Sequence, residues 1–286
     1  MPSEAGVMSP RSLIVGARRI ALYLGLTLLA IPFLLPLLAM LSTAFNTPQG
    51  VYAVPPQWIP GNLTLDNFRE SWRLMDVPGL LRNSALVAAA STVGTVLSSS
   101  LAGYAFAFLP ARGRRFLFSM LVLTMIVPPT VTLLPQFLLF SKLGWVNTFW
   151  PLIVPSLLGN AFYIFLFRQF FRTLPIDLFE CAELDGCNPL ATYLRIALPL
   201  SRPAIAAVAV FAFIGAWNDF LAPLVYLNTN ARYTLSLGLS LFQGLYQTQL
   251  HYLMPMALVA LIPVVALFLV CQPLLERSAF GRSGAR

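Results

Sequence analysis

Between Leu174 and Ser201 the chain reads LPIDLFECAELDGCNPLATYLRIALPLS, a dense set of charges and helix punctuation set between strongly apolar runs. Pro175 suits the first turn of a helix, and Asp177 and Glu180 place negative charge near that helix's positive end. Gly186, after Leu184-Asp185, is a good left-handed stop. Asn188-Pro189 reads as an N-cap and first-turn proline opening a second short helix, which should break near Pro199. The segment is thus expected to be two short helices at an angle, joined at a glycine, outside the apolar runs. A different chemistry lies in Trp217-Asn218-Asp219, where an aromatic face, an amide and a carboxylate stand together in an apolar run. Asp219 is the only acidic residue well inside such a run. At that depth an ionisable group faces a bundle interior or a wet cavity, because exposure to lipid costs several kcal/mol. Asp219 therefore either meets a hydroxyl-bearing ligand or holds the bundle through an interhelical hydrogen bond. Tyr163, Gln243 and Tyr246 are further candidates of the same kind.

Catalysis is not expected of this chain. His251 is the sole imidazole, so no Ser/His/Asp or Cys/His arrangement is credible, and no Gly-rich loop could cradle a phosphate. Cys181, Cys187 and Cys271 lack CxxC spacing, form no metal set with one histidine, and are expected to be reduced thiols. No cofactor or metal is expected in this chain.

Of 286 residues, 58% are hydrophobic and 10% charged, more apolar surface than a soluble domain can hide. The runs are long enough to cross a bilayer, which takes about 20 residues each. Residues 1–17 are polar and expected to be disordered. A first span follows Arg18-Arg19, from Ile20 to about Leu41, too long and too poor in small-x-small sites for a cleaved signal peptide, and bent at Pro32 and Pro36. Residues 44–80 form a polar loop. The second span, about Leu81 to Leu109, is lined with Ala, Ser and Gly that would let a neighbouring helix approach closely. The third, Phe116 to about Phe140, is interrupted by Pro128-Pro129 and Pro135, and the fourth runs from about Phe149 to Phe167. After the central segment come a fifth span, roughly Pro203 to Leu227, a polar and aromatic loop at 228–250, and a sixth span from about Tyr252 to Leu275. The expected fold is thus an all-α integral membrane protein with six transmembrane helices, the two short helices lying in the loop between the fourth and fifth.

Basic residues alternate between the two sides. The N-terminus, the turn at Arg112, Arg114 and Arg115, the central segment and the C-terminus carry thirteen, against five on the other side. By the positive-inside rule both termini and the central segment are expected in the cytoplasm. That distribution accounts for the net charge of +8 without nucleic acid.

Glu180-Cys181-Ala182, three residues, Gly186, nine residues, Ile196, one residue, Leu198-Pro199 resembles the EAA loop of ABC importer permeases at full spacing. The departure is Cys181, where the family usually has alanine. Arg82-Asn83-Ser84, the stretch from Ala102 to Ala107, Arg168-Gln169-Phe170-Phe171, Trp217-Asn218-Asp219-Phe220 and Phe242-Gln243-Gly244 are similar to the second membrane subunit of maltose-type and glycerol-3-phosphate-type systems. The likeness covers roughly residues 65 to 275 and fades at Glu276 to Arg282, where a Gly-rich tail is usual in the family.

The resemblance implies a permease for a sugar or sugar derivative in a bacterial inner membrane, forming half of a translocation pathway. Its first short helix would be the coupling helix, with Glu180, Cys181, Ala182, Leu184, Asp185, Gly186, Ile196, Leu198 and Pro199 joining it to an ATPase. Trp217, Asn218, Asp219, Tyr163, Gln243 and Tyr246 would be candidates for the pathway. The implied partners are a second permease, a dimeric ATP-binding subunit that holds ATP and Mg, an extracytoplasmic solute-binding protein, and membrane lipid. The implied division is a terminus at 1–17, a permease domain at 18–275 and a cytoplasmic tail at 276–286. A glycerophosphodiester or glycerol-3-phosphate-type substrate is the alternative within the family. A secondary transporter is the alternative outside it, though no inverted repeat is evident. For the central helix alone, the alternative is an amphipathic helix lying on the membrane surface.

Overall fold

The computed structural model describes residues 10–55, 57–243 and 249–280, and side chains from 18 to 274 within these. Every regular element of any length is helical: α1 Pro10–Phe45, α2 Pro48–Val51, α3 Asp66–Leu74, α4 Val77–Phe108, α5 Arg114–Thr124, α6 Pro129–Lys142, α7 Trp150–Leu157, α8 Ala161–Phe171, α9 Asp177–Leu184, α10 Pro189–Thr192, α11 Leu198–Leu200, α12 Arg202–Asn218, α13 Leu221–Tyr226, α14 Leu235–Ser240 and α15 Leu250–Phe280. Among the described residues, four stretches are long and apolar enough to cross a membrane: Arg18–Phe45, Val77–Phe108, Trp150–Phe171 and Leu250–Leu274. The α5–α6 pair, bent by 96°, and the α10–α12 stretch, bent by 78°, bring the number to six if each is one span. In lipid, helices are the economical solution because each satisfies its own backbone.

The chain divides into two units, Met1–Ser71 with Tyr246–Val259, and Trp72–Leu245 with Ala260–Arg286. In the first, α1 is continuous through Pro32 and Pro36. It begins at Pro10, so residues 10–17 are helical where disorder was expected; Pro10 fits a first turn, and Leu13, Ile14 and Val15 extend the apolar run. The loop after α1 is tied back by Asn67, whose buried amide donates to the carbonyls of Ala44 at 3.0 Å and Asn46 at 2.7 Å. Tyr52 and His251 share a hydrogen bond of 3.2 Å. At the other end of the chain, helix continues to Phe280, five residues beyond the expected end of the permease domain, whereas residues 1–9 and 281–286 lie outside the described residues.

In the second unit, α4 is the spine. Val87, Ala88, Ser91, Gly94, Thr95, Ser99 and Gly103 are buried along it. Gly103 is needed where α8 crosses: a Cβ there would lie 2.6 Å from the Phe167 Cβ and 3.0 Å from the Arg168 backbone nitrogen. Serines along the same helix bond across it, Ser91 to the Leu152 carbonyl at 3.0 Å and Ser98 to the Ser156 carbonyl at 3.1 Å. The small-residue face expected to pack does so.

Three spans differ from their expected outlines. The third breaks between Thr124 and Pro129, at the proline pair, while Pro135 is carried inside α6. The fourth is interrupted at Gly159, φ +86°, after which Asn160 caps α8 by accepting from the backbone of Phe162 and Tyr163. The fifth ends at Asn218 and not near Leu227. Asp219 takes an extended conformation there and accepts from the Ala222 nitrogen at 3.3 Å, so its carboxylate caps the restart at α13.

The segment expected to be a polar loop at 228–250 is largely built into the unit. Leu235, Leu237 and Gly238 of α14 are buried, and Leu235 joins Leu80, Ala88 and Trp217 in one cluster. Asn83 donates to the carbonyls of Ala231 and Tyr233 at 2.9 and 3.0 Å, and Ser84 accepts from the Leu235 nitrogen at 2.7 Å. The Arg82-Asn83-Ser84 motif thus has a structural role, since its two polar side chains hold the return segment against α4.

Candidate functional site

The site is the helix–glycine–helix segment from Asp177 to Leu200. Asp177 and Glu180 occupy the first turn of α9, as their charge suggested. At its other end Gly186 has φ +75°, the Gly186 nitrogen donates to Glu183 O at 3.0 Å, and the Cys187 nitrogen donates to Ala182 O at 2.9 Å. This pair of bonds is a Schellman motif, which satisfies two carbonyls that the helix end would otherwise leave open. The chain then turns into α10, with the Asn188 side chain accepting from the Ala191 nitrogen at 2.7 Å.

Beyond α10 the backbone widens into a π-turn over Tyr193–Ala197 just before Pro199, which has no N–H to continue an α ladder. The expected break near Pro199 falls slightly later, at Ser201. Pro203 explains the shift: it withholds a second N–H and is accommodated in the first turn of α12.

The two faces of α9 do different things. Phe179 and Ala182 point inward, and the Phe179 ring stacks on Phe108 with centroids 3.9 Å apart. Around them Tyr104, Phe167, Phe171, Tyr193 and Ala197 form a buried cluster. Two polar links pin α10 and the π-turn to α4: the Tyr104 hydroxyl donates to Pro189 O at 3.1 Å, and the Ser100 and Tyr193 hydroxyls lie 2.7 Å apart. Ile196 and Leu198 pack against the same cluster, while Pro199 is exposed. Of the predicted coupling residues, Ala182, Ile196 and Leu198 therefore hold the segment in place.

Cys181, Leu184 and Asp185 face outward, and Leu184 is 87% exposed. Glu180 and Glu183 border a groove of about 310 Å³ between α9 and the end of α4. Phe108, which supplies the inner surface for α9, is a residue that the sequence reasoning did not single out. Its only signal was an aromatic at the end of the second span, which reads equally well as an interfacial anchor.

The second predicted group is less unified. Trp217 is only 3% exposed, and its indole N–H donates to Ala260 O at 3.1 Å, which makes it part of the core. Asn218 is exposed at the end of α12, and Asp219 is half-buried at the break. Tyr163 packs against the aromatic cluster beneath α9, and Gln243 is exposed after α14. Tyr246 lies outside the described residues. Among the described residues no group of His, Cys, Asp and Glu could hold a metal ion.

Known proteins resemble this chain, some in sequence and some in fold. Residues 94–279 match the family described as "Binding-protein-dependent transport system inner membrane component". The arabinooligosaccharides transport system permease protein AraQ of Halalkalibacterium halodurans is 34% identical over 74% of this chain and 76% of its own length. The sn-glycerol-3-phosphate transport system permease protein UgpE of Brucella abortus is 33% identical over 92% of this chain and 94% of its own. The fold matches a bacterial ABC transporter involved in the import of the acidic polysaccharide alginate, with a TM-score of 0.76 at 21% identity over 94% of this chain and 99% of that one. The match is to the part of the chain that contains the α9–α12 segment, and the chain belongs to the inner-membrane permease family of binding-protein-dependent ABC transport systems.

Proposed function

We infer that this chain is one of two permease subunits of an ATP-driven importer for a sugar or sugar derivative, and that it forms half of the translocation pathway. The carrying observation is the division of α9 into an inner face stacked on Phe108 and an outer face that leaves Leu184 bare. A helix anchored on one side, with an exposed leucine among acidic residues on the other, is suited to receive a partner's movement and pass it to the spans behind it. The partner is an ATPase dimer, which would hold ATP and Mg. The contact set is Glu180, Cys181, Leu184 and Asp185, with Gly186 fixing the turn and Ala182, Ile196, Leu198 and Pro199 supporting it.

The positive-inside count favours cytoplasmic termini and a cytoplasmic α9, the side where ATP is found. A sugar or sugar derivative is favoured by the arabinooligosaccharide system of the AraQ relative. Substrate would arrive on an extracytoplasmic binding protein and pass Asn218 and Asp219, with Trp217 as their support and Tyr163, Gln243 and Tyr246 as further candidates. The residues at 18–275 form the permease domain, and those beyond form a tail.

The test is reconstitution. The chain co-expressed with its ATPase should purify as a complex, and vesicles containing the whole importer should take up sugar only with ATP inside and binding protein outside. Uptake driven by an ion gradient without ATP, or ATP turnover by this chain purified alone, would overturn the reading.

A further inference from the structure

At one end of α4, five arginines converge from three elements. The Arg114 guanidinium donates to Leu109 O at 3.0 Å, and Arg168 Nε donates to Phe106 O at 3.3 Å, so both are held by carbonyls at the C-terminal end of α4. Arg168 also lies over the Phe118 ring, 3.9 Å from its centroid, which fixes the plane of the guanidinium. Each group has five N–H donors and uses few of them here. Arg112, Arg115 and Arg172 are exposed beside them. No ion pair joins any of these arginines to a carboxylate among the described residues. The turn from Pro110 to Arg115 lines an open depression of about 520 Å³.

The level of this cluster in the fold indicates its ligand. Arg114 opens the α5 half of one candidate span, and Arg168 and Arg172 stand at the end of the Trp150–Phe171 span. Directly along α5, Phe116, Leu117 and Met120 are exposed, at 63%, 54% and 47%. A phosphate in the depression would have acyl chains beside an apolar helix face, and its charge would meet guanidiniums already in place. Soluble anions would gain the first contact and not the second.

We propose that the arginines at Arg112–Arg115, Arg168 and Arg172 form a binding site for the phosphate headgroup of an anionic phospholipid, with its chains along α5. Arg114 and Arg168 are the fixed part of the site. Arg112 and Arg115 supply the outer charge, and among the described residues their guanidiniums make no hydrogen bond, so replacing these side chains leaves the fold intact. Pro110 lines both this depression and the groove beside α9.

The whole importer, with its ATPase, is purified and placed in nanodiscs of phosphatidylcholine with a minor share of phosphatidylglycerol. Lipid retained by the complex is read by native mass spectrometry. The unaltered protein should retain phosphatidylglycerol in preference to phosphatidylcholine. Arg112→Gln with Arg115→Gln should lower that retention roughly 30-fold, each basic group near an anionic headgroup contributing about a five-fold factor. Arg69→Gln with Arg73→Gln, far along the chain on α3, should change nothing. Equal retention of both lipids by the unaltered protein would overturn the proposal, as would undiminished retention in the first variant. Displacement of the lipid by millimolar inorganic phosphate would mark a soluble-anion site instead. Retention only in permease freed of its ATPase would mean that the ATPase covers the turn, and would also overturn it.

Discussion

Replacing Gly186 should reduce uptake in the order Gly, Asn, Ala, Val, with Gly186→Val close to inactive. The residue sits at φ +75°, and nothing lies within 4 Å of where a Cβ would be. The penalty is therefore in the backbone and not in a clash. Asparagine visits the left-handed region readily, alanine less so, and a β-branched residue worst. A cost of roughly 1–2 kcal/mol for valine is large enough to shift a local equilibrium by about 5–30-fold. The turn lost is the one closing α9, with the Cys187–Ala182 and Gly186–Glu183 bonds, so the outer face that carries Leu184 and Asp185 would no longer hold its orientation. The measurement is sugar uptake and ATPase co-purification at matched membrane expression. A flat series, with Gly186→Val as active as Gly186→Asn, would show that the left-handed turn does not matter.

That turn was legible in the sequence because its chemistry is local. Gly186 and Asn188-Pro189 act on their own neighbours, and a proline pair breaks a helix wherever it stands, so the α9–α10 hinge and the break before Pro129 could be read directly. The small residues of the second span were legible for a related reason, since in a long apolar helix Gly and Ser have few uses besides close approach. What could not be read depends on contacts between distant segments. Nothing around Leu235 marks it for burial, because the partners that draw α14 inward, Asn83 and Ser84, are about 150 residues away. The break at Gly159-Asn160 lies inside an apolar run whose hydropathy hides its punctuation. The apolar run through Leu227 likewise conceals that Asp219 is a cap. On α9 itself the sequence offers apolar residues on both sides, Phe179 and Ala182 on one and Leu184 on the other. Only the position of Phe108 decides which side is inward.

Phe179→Ala should uncouple the importer. The ring is buried and stacked on Phe108, and removing such an aromatic from a core costs about 3–5 kcal/mol when the surroundings cannot collapse. The groove beside it is open on one side, so part of that loss is relieved by water and by movement of α9. The remainder falls on the contact through which α9 bears on the end of α4. Assembly relies on the outer face and should survive, whereas uptake should fall by roughly ten-fold or more, the effect of about 1.4 kcal/mol. Phe179→Leu keeps most of the apolar volume and should retain most of the uptake. Parallel assays of ATP hydrolysis and uptake separate the outcomes. Hydrolysis that no longer responds to loaded binding protein, in an intact complex, is the expected result. Normal uptake in Phe179→Ala would show that the inner face of α9 transmits nothing.

The proposed meeting of the outer face of α9 with an ATPase is tested most directly by site-directed photo-crosslinking. A photoreactive phenylalanine analogue at Leu184, 87% exposed, is compared with the same probe at Trp58, 66% exposed in the loop after α1. In membranes containing the whole importer, the probe at Leu184 should capture the ATPase subunit, and the probe at Trp58 should not. Capture of lipid alone at Leu184, or of the ATPase at Trp58 and not at Leu184, would contradict the assignment of α9 as the coupling helix.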